Sequence, residues 1–137
     1  MSAIVIPGYI SENAAIDQAI AYTAAGTSTI TSSALDMQGY EHLLVIAQIG
    51  TPAANNIITV QTGDTSSTSA TSATSGSSSV STQVIDIQNV NKRYVKVSVA
   101  RGTSTTIEQV TVIRYGPRSA AVTQAATTVV TAYSTPS

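Results

Sequence analysis

The sequence predicts an all-β fold, an antiparallel β-sandwich of jelly-roll or Ig-like Greek-key type with extended arms at both ends. Three observations lead there. Several short stretches alternate apolar and polar residues with period two, and Gly or Asn turn signals separate them. No long stretch carries a convincing amphipathic helical period. The chain has no Trp, Phe or Cys, so Val, Ile, Leu and Ala must fill the interior. The missing Cys…Trp…Cys pattern argues against an antibody-type domain, whereas a jelly roll or another Greek key stays open. The 137 residues make one domain, long enough to bury a core.

Residues 1–18 read as an N-terminal arm, with Ile4–Val5–Ile6 followed by a Pro7–Gly8 turn signal. "NAAIDQAIAYTAAG" is ambiguous. Ile16 and Ile20 have helical spacing and Ala favours helix, but Tyr22, Thr23 and the "TSTITS" beyond favour an extended chain, so strand is expected from about Ala19. The sandwich then spans 19–118. "HLLVIAQIG" (His42–Gly50) is apolar on both faces, the mark of a central strand covered on both sides. "NIITVQTG" offers Ile58 and Val60 as a buried pair, and "VSTQVIDIQN" offers Ile85 and Ile87. Between these two lies the Ser/Thr/Ala-rich stretch 65–81, which reads as a long loop. In "RYVKVSVA" the residues Val95, Val97 and Val99 point one way, and Tyr94, Lys96 and Ser98 the other. "TTIEQVTVIRYG" repeats this pattern around Val110 and Val112, and Gly102 in "ARGTST" suggests a hairpin joining the two strands. Residues 119–137 lack a clear period and read as an extended C-terminal arm.

Charge is segregated along the chain. Residues 1–91 hold six acids and no Lys or Arg, a sum of −6; residues 92–137 hold six bases and one acid, a sum of +5. Charged residues are only 9% of the chain against roughly 25% in ordinary domains, and hydroxyls take their place. Such a surface does little to keep molecules apart and suits a protein packed against others. The Cys-free chain has no disulfide framework and fits a reducing cytosol. The short apolar N-terminal stretch lacks a basic flank and fails as a signal peptide, and no run is long enough for a membrane helix, so no membrane partner is expected.

The search for chemistry gives no catalytic residue, no cofactor and no metal. His42 is the one histidine; with Asp36 and a serine it could be drawn as a triad, but no G-x-S-x-G elbow accompanies it and it leads into an apolar strand. Asp64 in "TGDTSS" matches no calcium loop, and the glycines form no phosphate-binding fingerprint. Lys92 and Lys96 lack the placement that an isopeptide bond needs. Basic and aromatic residues interleave at Arg93–Tyr94 and Arg114–Tyr115, but the acids cancel the positive charge and nucleic acid is not the expected partner. The basic stretch is better explained as a docking ribbon on two adjacent strands. Arg93, Tyr94, Lys96, Arg101, Arg114, Tyr115 and Arg118, with Tyr133 of the C-terminal arm, are the candidate partner-binding residues. The alternative is an ordinary set of strand charges paired with the acidic portion inside the fold.

These stretches carry a resemblance. Asp36, Met37, Gly39 and Tyr40 form a D-M-x-G-Y segment before an apolar strand. Arg93, Tyr94, Val95, Lys96, Val97, Val99, Arg101 and Gly102 form an R-Y-V-K-V-x-V-x-R-G strand. Tyr115, Gly116, Arg118, Val122, Thr123 and Gln124 form the exit. Over 35–124, with the Ser/Thr stretch as a variable insert, the chain resembles a family of small structural proteins of tailed bacteriophages and prophages. The resemblance implies a virion protein made in the bacterial cytoplasm, a capsid cement or decoration protein that binds the major capsid protein and copies of itself as a homodimer or homotrimer. A tail or head–tail completion protein, or a carbohydrate-binding or adhesion module, is the alternative.

Overall fold

The computed structural model describes residues 13–50, 56–67, 70–75, 80–102 and 104–117. They form ten strands: β1 (Ala14–Ile20), β2 (Thr23–Gly26), β3 (Ile30–Thr31), β4 (Leu35–Asp36), β5 (Tyr40–Ile49), β6 (Ile57–Gly63), β7 (Ala70–Thr74), β8 (Thr82–Ile87), β9 (Tyr94–Ala100) and β10 (Thr105–Pro117). The strands make two antiparallel sheets, as a β-sandwich requires. In the first, the order is β1-β10-β5-β8, with β2 also pairing β10; in the second it is β3-β9-β6-β7, with β4 also pairing β9.

The period-two pattern sets the inner faces. Val95, Val97 and Val99 of β9 are fully buried, as are Ile58 and Val60 of β6. They face Leu43, Val45 and Ala47 of β5 and Val110 and Val112 of β10. Each such Val, Leu or Ile side chain contributes about 1.5–3 kcal/mol when removed from water. Ile85 and Ile87 of β8 pack half-buried against this core, and Met37 and Val90 close one end of it. On the outer face of β5, Leu44 and Ile46 are half-buried.

The structure departs from the sequence expectations in three places. The sheet begins at Ala14 rather than Ala19, because β10 offers an antiparallel partner from Ala14↔Tyr115 to Ile20↔Val110, and tertiary pairing outweighs the helical preference of Ala. Ala70–Thr74, inside the expected loop, is a strand paired with β6 that brings Ala73 against the core. The expected hairpin between β9 and β10 does not form. β9 lies in one sheet and β10 in the other, so the link after Ala100 crosses from sheet to sheet. Buried Asn56 holds this corner, its Oδ1 accepting from the Gly102 N–H at 3.2 Å.

Candidate functional site

The first stretch that carries the resemblance meets the beginnings of the other two at one end of the sandwich. Asp36 ends β4, and its Oδ1 accepts from the Gln38 N–H at 2.9 Å, starting a turn. The Tyr40 N–H closes that turn on the Met37 C=O at 2.9 Å. Gly39 sits at φ +92°, which favours glycine. Met37 is swung into the core, 2% exposed, and its N–H donates to the Arg93 C=O at 2.6 Å. Residues 37–40 and 90–93 line an open cavity of about 370 Å³.

Arg93 lies side-on to Asp36, with Nε and Nη2 donating to Oδ1 and Oδ2 at 3.4 and 3.2 Å. The Arg93 guanidinium, helped by the Gln38 N–H, holds the Asp36 carboxyl below the usual carboxylate range. Arg93 is raised in turn by the hydrogen bond and charge of Asp36. The same guanidinium stands 5.1 Å over the Tyr94 ring. Beside the cavity, Lys92 Nζ meets Asp64 Oδ2 at 3.2 Å. Both cations of the rim therefore already have carboxylate partners.

Arg114 turns into the sandwich. Its Nη2 donates to Asp17 Oδ2 and its Nη1 to the Asp36 C=O, both at 2.6 Å, and the guanidinium lies 5.1 Å from the Tyr40 ring. Next to it, Tyr115 reaches over the outer face, donating its hydroxyl to Asp86 Oδ1 at 2.7 Å. That bond, with some burial, raises the phenol above its ordinary value. The His42 ring stands 4.9 Å from Tyr115, and its Nδ1 accepts from the Asn89 N–H at 3.2 Å. Asn89 has φ 59°.

Arg101 is at the opposite corner and is 8% exposed. Its Nε donates to the Ser28 C=O and its Nη1 to the Ala24 and Thr105 carbonyls, all at 2.8 Å. Lys96 stands on the outer face of the second sheet, flanked across the strands by Gln61. It meets no carboxylate among the described residues. Arg118 and Tyr133 lie outside the described residues.

The six described candidate residues thus form no single ribbon. Tyr94 and Lys96 share an outer face with Thr59, Gln61 and Ser98, and Arg93 borders it. Arg101 and Arg114 are internal ties between segments, so the reading of these two as surface contacts is corrected: each projects toward the core side of its strand. A parity signal was available in the sequence. Arg101 continues the series Val95–Val97–Val99, and Arg114 continues Val110–Val112, so each falls on the buried face. The in-chain partners Asp17 and Asp36 carry no such local signal. Among the described residues, no group of three His, Cys, Asp or Glu side chains could hold a metal ion.

No family model and no curated protein matches the sequence. Solved structures do resemble the chain in shape. The prophage-derived protein YomS of SPBc2 superposes with a TM-score of 0.55 at 15% identity, over 85% of this chain and 100% of that one. The C-terminal CBM6 of LamC, a marine laminarinase from Zobellia galactanivorans, gives a TM-score of 0.42 at 8% identity, over 73% of this chain and 98% of that one. The first likeness is one of fold, and the second is too loose to argue from.

Proposed function

We propose that the chain is a non-enzymatic structural protein of a phage virion, acting as a capsid cement or decoration protein that binds between major capsid protein subunits and stabilises the shell. The observation that carries this reading is the fold likeness to a prophage-derived protein along that protein's whole length. The D-M-x-G-Y, R-Y-V-K and Y-G stretches, which meet at one end of the sandwich, point the same way. So does a surface poor in charge and rich in hydroxyls. A protein that binds only the assembled shell adds its binding free energy to shell stability, and many copies act together.

The outer face bearing Tyr94 and Lys96 is the docking face in this reading, because Arg101 and Arg114 are committed inside the fold. The test counts this protein against the major capsid protein in purified particles by quantitative mass spectrometry. A ratio within a few-fold of one supports a shell component. A ratio of a few per cent would indicate a tail or connector piece, and absence would remove the virion reading. Lys96→Glu should then weaken binding to particles without altering the circular dichroism.

A further inference from the structure

The sandwich has several sheet edges, and most are guarded against further pairing. β3 and β4 have two residues each. Pairing along β1, β2 and β7 is broken by register shifts at Gln18/Ile20, Thr105/Ile107 and Val60/Gln61. Short or bulged edges resist the addition of another strand. β8 differs. It pairs with β5 in unbroken register from Leu43↔Ile87 to Gln48↔Thr82, and among the described residues nothing pairs with its other side. It contains no Lys, Arg, Pro or Gly. Its one charge, Asp86, is drawn back over the sheet to the Tyr115 hydroxyl at 2.7 Å and so does not guard the edge. Val84 stands on that edge 55% exposed, next to Ile46 of β5.

The direction of the open ladder follows from one bond. The Ile49 N–H donates to the Ser81 C=O at 2.7 Å. In an antiparallel ladder such groups alternate along the strand, so Gln83, Ile85 and Ile87 direct theirs at β5. The N–H and C=O groups of Thr82, Val84 and Asp86 then point outward.

We infer that β8 is the homodimer edge of this protein, pairing antiparallel with β8 of a second copy about a twofold axis centred on Val84. In this register Val84 exchanges both backbone bonds with Val84 of the second copy, and Thr82 does so with Asp86. All three outward-facing residues are satisfied and no like charges meet. Val84 packs on Val84 across the seam, and the half-buried Ile85 and Ile87 gain cover on the inner side. A second copy is the fitting occupant because the strand complements itself in sequence and in backbone pattern, as an isologous contact requires. This inference rests on the strand geometry and stands whether or not the chain belongs to a virion.

The test is sedimentation equilibrium on the full chain over roughly 1–100 µM, compared with Val84→Lys and Val84→Pro. The Val84 N–H points away from β5, so proline there leaves the internal ladder intact. Lysine places like charges opposite each other and keeps the N–H. The wild type should dimerise within this range, and each variant should raise the dimer Kd at least about ten-fold with unchanged circular dichroism. Hydrogen exchange on the wild type gives a second readout that needs no variant: the Thr82, Val84 and Asp86 amides should lose protection on dilution. A monomeric wild type at 100 µM, or variants that dimerise as tightly as the wild type, would overturn the inference. Protection of these amides that is independent of concentration would also overturn it, and would assign the edge to another segment of the same chain.

Discussion

Replacing Arg101 tests whether this residue holds the fold together or binds a partner. Its guanidinium serves three carbonyls, those of Ala24, Ser28 and Thr105, each at 2.8 Å. In Arg101→Ala the carbonyls of Ala24 and Ser28, on exposed residues, can turn to water, and each lost bond costs about 1 kcal/mol net. Thr105 is fully buried, and its carbonyl left without a donor costs about 1–3 kcal/mol. Returning the guanidinium to water offsets part of this, so the expected loss is about 3 kcal/mol, a large share of the 5–15 kcal/mol of an ordinary domain. Arg101→Lys keeps the charge but not the fork, satisfies one carbonyl, and should cost about half as much. Without Trp, urea unfolding is followed by far-ultraviolet circular dichroism. For a urea m-value of about 1.5 kcal/mol/M the alanine midpoint falls by about 2 M. If Arg101→Ala stayed within about 0.5 kcal/mol of the wild type, the internal role argued for this side chain would be refuted.

Three further outcomes follow from the opposite end of the sandwich. Arg114→Ala strands the largely buried Asp17 carboxylate and should cost about 3–5 kcal/mol in urea unfolding; Asp17→Leu with Arg114→Met should cost clearly less than the sum of the two single changes, as a double-mutant cycle would read. Asp36 has its pKa lowered in the folded state, chiefly by the Arg93 hydrogen bond and then by the Gln38 N–H. Its contribution to stability is therefore full above the unfolded-state pKa and is lost as pH falls through the folded one, so the urea midpoint of Asp36→Asn should lose the part of the acid-side fall that the wild type shows just below about pH 4. Gly116→Ala meets both a φ of +70° and a Cβ placed 2.7 Å from His42 Cδ2, and should lower the melting temperature well beyond Gly39→Ala, where φ is +92° but the space is open; the latter should cost about 1 kcal/mol.

Much of the core was legible because its signal is local. Alternation at Val95–Val97–Val99 and Val110–Val112 marks the buried rows without any knowledge of the partner strand. Strand pairing is not local. Gly102 marks a turn, yet a turn can close a hairpin or carry the chain to the facing sheet, and the Arg101 and Asn56 bonds that decide this come from distant segments. Ala14–Gln18 looked ambiguous because alanine suits both structures until β10 supplies a ladder. The Ser/Thr composition of Ala70–Thr74 conceals a strand that brings Ala73 against the core. At the candidate site the aromatic and basic residue types were legible. Their direction followed from parity for Arg101 and Arg114, whereas the Asp36–Arg93 pair joins residues far apart in sequence.

The segregation of charge follows from the strand order. β9 and β10, the last two strands among the described residues, are interior strands of the two sheets, and segments from the acidic portion flank them. β1 brings Asp17 to Arg114 of β10, β4 brings Asp36 to Arg93 before β9, and the residue after β6 brings Asp64 to Lys92. Acids early and bases late therefore place opposite charges side by side once the final strands enter. Such pairs favour one register over its neighbours more than they add stability. The same order makes folding depend on the end of the chain. Among the described residues, without β9 and β10 the first sheet keeps only the β5–β8 pair and the second only the β6–β7 pair, and isolated two-stranded ribbons are marginal in water. A chain ending at Asn91 should therefore show no cooperative urea transition, with its charge of −6 adding repulsion that nothing balances. A cooperative transition in that fragment, read by circular dichroism, would mean that β5 through β8 hold a core of their own and that the late basic strands join a framework already formed.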